Sequence, residues 1–289
     1  MKRISISDIT LKKLSEDRAV SLLFREKSAI ANCADRIGAD SIELPAIKNL
    51  REDSIIYKTI AKNIRNAVLA IPVGFSTNDV AAAYECIKDA KSPRLQIELP
   101  ISTIQMEYTY HIKQQKMLEK IGELVAAAKV LCPDVEFSAL DATRADEDFL
   151  IAAVREAEAK GASFVTVCDD AGNTTPAQIA DLVAKIKEAI SIPVYVCLSD
   201  RINMAVASAF SAIEAGADGL KCAMIGKDAL LTGEISDAVT ACGAQIDAEI
   251  KLCRTNIHAS IDDMVSSINH EVYEDESSVS DKKKILLDS

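Results

Sequence analysis

The feature that most constrains this chain is an alternation. Short β-rich runs and helical stretches follow one another eight times between the N-terminus and about residue 250. The runs fall at 4–9, 41–44, 67–71, 95–99, 135–139, 164–168, 194–198 and 220–224. Between them apolar residues recur at three-to-four-residue spacing, as in Leu22, Leu23, Ile30, Cys33, Ala34 and Ile37, the mark of a helix with one buried stripe. Strand and helix in strict alternation imply a parallel sheet. A local device recurs at the hand-over from helix to strand: Gly38-Ala39-Asp40, Gly161-Ala162-Ser163 and Gly216-Ala217-Asp218. Glycine takes the left-handed conformation that ends a helix, and the chain turns at once into a strand. Eight such units favour closure into a (β/α)8 TIM barrel over an open doubly wound sheet, and no G-x-G-x-x-G follows the first run.

Composition fits this reading and removes several others. Residues are 49% hydrophobic with few aromatics, which suits parallel strands covered on both faces. The net charge of −11 argues against nucleic acid and against an anionic membrane surface as partners. No apolar run reaches the roughly 20 residues that cross a bilayer. The eight cysteines are scattered, the three histidines lie far apart, and no CxxC pair occurs, so zinc spacings are absent. With no apolar signal segment over residues 1–8, a reducing cytoplasmic setting is expected. The barrel is expected over residues 1–250. Residues 251–289 are expected to form a C-terminal helix carrying Ile257, Ile261, Met264 and Ile268, followed by a polar tail.

In such a barrel, chemistry is done at the C-terminal strand ends. The segments there include Asp8-Ile9-Thr10-Leu11-Lys12-Lys13, Ile42-Glu43-Leu44, Ser102-Thr103-Ile104-Gln105-Met106-Glu107-Tyr108, Phe137-Ser138-Ala139-Leu140-Asp141-Ala142-Thr143-Arg144, and Val196-Cys197-Leu198-Ser199-Asp200. Taken in order, they resemble the family of isopropylmalate synthase, homocitrate synthase, citramalate synthase and hydroxymethylglutaryl-CoA lyase. The resemblance covers nearly the whole chain and implies the barrel fold. It also implies a divalent metal at the barrel mouth that holds a 2-oxo acid while an acyl-CoA-derived carbon is joined or released.

The departures fall on the chemistry. Against D-T-T-L-R-D-G-E-Q, Lys12 stands at the Arg and Lys13 at the metal-binding Asp. Against H-x-H-N-D, the sequence reading sets Val196 and Leu198 at the two histidines, with Asp200 matching. Against T-x-N-G, Ile225 stands at the Asn, and Gln105 and Leu140 replace a His and a Glu in two further motifs. Valine, leucine and isoleucine offer no metal donor, so neither metal nor other cofactor is expected.

Lys13, Lys221 and Lys12 are the candidate catalytic residues. Lys221 is expected to point into the barrel, where burial would lower its pKa and make it a Schiff-base nucleophile, or else to pair with Asp141 or Asp200. Gln105, Ser102, Asp141, Arg144, Asp200 and Glu43 are candidates for binding a small carboxylate or oxo acid, and acyl-CoA is an open second ligand. Asp169-Asp170 reads either as a general base or as a solvated loop. By strand alternation Cys197 and Cys222 are expected to face the helices. Two functions follow: a lysine-based, metal-independent carbon–carbon bond enzyme, or a non-catalytic paralogue that binds a metabolite or regulates a partner. The apolar spacing over 257–268 suggests a homodimer.

Overall fold

The structure, a computed structural model, describes residues 2–17 and 20–246. The expected C-terminal helix, the tail and the dimer surface over 257–268 lie outside them.

Eight parallel strands close into a barrel in chain order: β1 (Ser5–Asp8), β2 (Ser41–Glu43), β3 (Val68–Pro72), β4 (Pro93–Pro100), β5 (Val135–Leu140), β6 (Phe164–Cys168), β7 (Val194–Cys197) and β8 (Gly219–Cys222). Closure pairs β1 with β8, Ser5 opposite Gly219 and Ser7 opposite Lys221. Around the wall run α1 (Thr10–Glu16), α2 (Phe24–Arg36), α3 (Leu50–Asn63), α4 (Thr77–Ile87), α5 (Gln114–Leu131), α6 (Glu147–Ala159), α7 (Pro176–Ala189), α8 (Ala205–Glu214) and α9 (Thr232–Ala241).

Local chemistry sets the helix ends. Ser76 and Asp79 form a reciprocal capping box at α4, as do Thr175 and Gln178 at α7, where Pro176 fills the first turn. Gly38, Gly161 and Gly216, expected to end helices, all have positive φ, at 84°, 101° and 108°. One helix is shorter than its apolar stripe suggests. Leu22 and Leu23 precede α2, because Leu23 is extended and its amide is held by Glu26 Oε2 at 2.6 Å, and its side chain is exposed.

The apolar core lies between strands and helices, outside the barrel wall. Ile4 just before β1, Ile6 of β1, Val196 of β7, and Leu220 and Cys222 of β8 pack with Ile179 and Val183 of α7 and Ala205, Ala209 and Ile213 of α8. Each large side chain buried there stabilises the fold by about 1.5–3 kcal/mol. The side chains that alternate with these face the barrel interior, and many of them are polar.

Candidate functional site at the barrel mouth

The buried polar residues share strand faces. Ser7 sits beside Ser41 and Lys221, and Glu98 beside Ser138, in the parallel register. They join in one hydrogen-bonded network. Lys221 Nζ reaches Glu43 Oε1 at 2.8 Å on β2 and Glu136 Oε1 at 2.6 Å on β5, so its ammonium spans the barrel axis. Ser7 Oγ donates to Glu43 Oε1 at 2.8 Å. Glu136 further accepts from Gln96 Nε2, Ser138 Oγ and Thr166 Oγ1, at 2.8, 2.8 and 2.6 Å. Above this layer Lys12 pairs with Glu98 and lies 3.6 Å from Glu43 Oε2. That separation is too long for a hydrogen bond. Glu43 Oε2 therefore stays buried with no hydrogen-bond donor.

The electrostatics follow from burial and pairing together. Lys221, Glu43 and Glu136 are at most 2% exposed, and burial opposes charge on each. The opposite charges outweigh it: Lys221 is held well above the usual lysine range, Glu136 falls to about 2, and Glu43 is lowered. This corrects both expectations for Lys221, a lowered pKa that would make it a nucleophile and, as the alternative, pairing with Asp141 or Asp200. Its partners are Glu43 and Glu136, and an ammonium so held has no lone pair to attack a carbonyl.

The strands open above the network into a cavity of about 880 Å³, whose walls include Lys12, Lys13, Glu43, Lys221, Cys197 and Arg201. Of the nine sequence candidates, Lys12, Lys13, Lys221 and Glu43 meet there; the other five do not border it. Asp141, at φ 55°, accepts from Ser102 Oγ and from Arg144 Nε and Nη2 at 2.8 and 2.7 Å, so these three form a closed cluster of their own. Gln105 belongs to a single π-turn, Gln105–Thr109, and its amide donates to Ser102 Oγ at 3.2 Å. Asp200 Oδ1 receives the amide of Ala205 at the start of α8. Asp169 is also spent on its loop, accepting from Thr143, Thr174 and the Gly172 amide. Asp170 borders the cavity, and burial raises its pKa. Glu136, Gln96, Glu98 and Arg94 were missed as interior residues. Their signal was present: Arg94-Leu95-Gln96-Ile97-Glu98 alternates polar with apolar, and in a strand whose outer face lies under helices the polar set must point inward.

The HMGL-like domain family matches residues 3–230. The chain belongs to the HMGL-like family. Among curated relatives of this HMGL-like chain, 2-isopropylmalate synthase of Bacillus velezensis is 35% identical over 230 residues, covering 78% of the chain and 44% of that enzyme. The 2-isopropylmalate synthase of Clostridium kluyveri is 34% identical over 231 residues, covering 78% and 45%. The chain thus spans less than half the length of these relatives. Two solved structures share the fold at 13% identity. The HMG-CoA lyase of Brucella melitensis has a TM-score of 0.70, covering 90% of this chain and 99% of its own, and that of Bacillus subtilis 0.77, covering 91% and 94%.

In this HMGL-like barrel the seventh strand sits one residue out of the expected register. Val196 and Leu198, expected to point inward, pack in the apolar cluster with α7 and α8. Cys197, expected to face the helices, is the register partner of inward Lys221 and borders the cavity, as does Ser199. Cys222 faces the helices as expected. At this strand end Cys197, Leu198 and Ser199 all border the cavity, and Cys197 is the one that shares a register position with inward Lys221. Lys13 stands on the same cavity with its ammonium 3.5 Å from Glu16 and its side chain 32% exposed. Gly172 shapes this wall. At φ 61° it is left-handed, and a Cβ there would lie 2.5 Å from Ser199 Oγ and 2.8 Å from Arg201 Cβ. Among the described residues no three His, Cys, Asp or Glu side chains are grouped to hold a metal ion.

Proposed function

We propose that this barrel of the isopropylmalate synthase type works without a divalent metal and holds a small carboxylate, such as a 2-oxo acid, at its mouth without metal-dependent condensation. One observation carries the reading: the glutamates of the inner barrel wall, Glu43, Glu98 and Glu136, all lie in ion pairs with Lys12 or Lys221. A metal would have to displace these lysines and sit near Lys13, whose charge repels it. The residues at the mouth do not fit the ion that the family's motifs provide for.

Lys13 and Arg201 supply fixed positive charge on the cavity wall, suited to a carboxylate. The charge-locked state of Lys221 and Lys12 favours binding over lysine-based turnover.

The test combines metal analysis of the purified protein with titration calorimetry using pyruvate and 2-oxoisovalerate, with and without chelator. Binding is expected to be unaffected by chelator and to weaken about 10–100-fold in Lys13→Met, the equivalent of a charge-assisted hydrogen bond of about 1.5–3 kcal/mol. Borohydride with the same acids should leave Lys221 unmodified. Stoichiometric bound metal, or thiol release from acyl-CoA that chelator abolishes, would sink the reading.

A further inference from the structure

The last residues of β6 and β7 are both cysteines, and they are direct partners in the parallel register, Cys168 opposite Cys197. Neighbouring strands run about 4.8 Å apart. That spacing lies within the Cα separation of about 4.4–6.8 Å that a disulfide bridges. Register partners point to the same side of the sheet, and here both thiols border the mouth cavity. They differ in access: Cys168 is buried, whereas Cys197 is partly exposed. We propose that Cys168 and Cys197 are a reversible thiol–disulfide pair at the barrel mouth, Cys197 attacking and Cys168 resolving.

The surroundings divide the roles. The adjacency of the two thiols raises Cys168 and lowers Cys197. Burial opposes the thiolate at Cys197, as does Glu43 on β2, while the ammonium groups of Lys13 on α1 and Lys221 on β8 favour it. Of the other described cysteines, Cys33, Cys86, Cys132 and Cys222 are buried, and none has a cysteine as its strand partner. Cys242 is partly exposed, but burial raises its pKa.

The co-reactant is a low-molecular-weight disulfide, RSSR. Cys197 thiolate attacks one sulfur, forming a mixed disulfide and releasing RS⁻, which takes the proton of Cys168. The Cys168 thiolate then attacks Cys197 sulfur, forming the intramolecular bond and releasing the second RS⁻, which takes the proton that Cys197 gave up. Two protein thiols are oxidised and one RSSR becomes two RSH.

The experiment exposes the full chain to glutathione disulfide, blocks remaining thiols with iodoacetamide and maps peptides by mass spectrometry without reduction. A Cys168–Cys197 cross-link is expected as the main product, removed by low-millimolar dithiothreitol. On the reduced protein, brief iodoacetamide treatment should label Cys197 ahead of the other six described cysteines. Cys168→Ser should still be labelled at Cys197 and should accumulate there as the glutathione mixed disulfide. Since the principal reading is made on the unaltered chain, poor folding of the variant does not blunt it. A stable mixed disulfide in the unaltered protein, a bond to any other cysteine, or no bond at Cys197 would overturn the proposal.

Discussion

A buried ammonium is tolerable only where its counter-charges are already in place, and Lys221 has two. Their attraction is offset largely by the cost of removing three ions from water, so the intact triad contributes modest net stability. Breaking it is another matter. Lys221→Met leaves Glu43 and Glu136 facing each other undischarged, and is expected to cost about 3–5 kcal/mol in denaturant unfolding. Adding Glu43→Gln and Glu136→Gln to that variant should recover much of the loss; a triple variant as unstable as Lys221→Met would show that the lysine matters through packing instead. That Lys221 points inward was legible because alternation puts it on the face of position 225, where the family it resembles carries an inward Asn. Its partners were not legible, because they come from β2 and β5, some 180 and 85 residues upstream. Only closure of the sheet brings these three strands round one axis.

At the scale of elements, the eight strand–helix units were legible because three independent signals agree: β-rich runs, helical periodicity and glycine hand-overs. The register of β7 was not. Val194-Tyr195-Val196-Cys197-Leu198 is apolar at both parities, as a strand covered on two faces can be, so alternation offers no orientation. With the histidines of the motif absent, Asp200 was the remaining anchor, and a single residue does not resolve a shift of one. The corrected register makes a prediction. Val196→Asp sets an unpaired carboxylate among Ile179, Val183 and Ala209 and is expected to destabilise by about 3–5 kcal/mol, some 6–20 °C in thermal midpoint for a domain of this size. Ser199→Asp, on the cavity wall, should shift the midpoint far less. Equal losses in the two variants would contradict the assignment of faces.

For the whole molecule, two buried carboxylates pull stability in opposite directions with pH. Glu136 has a folded pKa of about 2, below its ordinary value, so its contribution is present above about pH 4.3 and is lost as pH falls toward 2. Asp8 is raised to about 7, chiefly by burial and further by Glu43, with the hydrogen bonds from Thr10 only partly opposing. Folding therefore favours its protonated form, and that contribution, full below about pH 4, is lost as pH rises through 7. Thermal midpoints should peak near pH 4, and Asp8→Asn should flatten the decline between pH 5 and 8; an unchanged slope would remove Asp8 as its source. The closure of the sheet has a further consequence, for synthesis. β1 bonds to β2 on one side and to β8 on the other, and Ile4 N donates to Gln245 O at 2.7 Å. On the ribosome the first strand therefore emerges with one edge whose partner is still some 200 residues from being made, a delay of roughly 10–40 s at about 5–20 residues per second. Throughout that interval the nascent chain carries an open strand edge, and the half-built barrel is the form most exposed to pairing with the wrong neighbour.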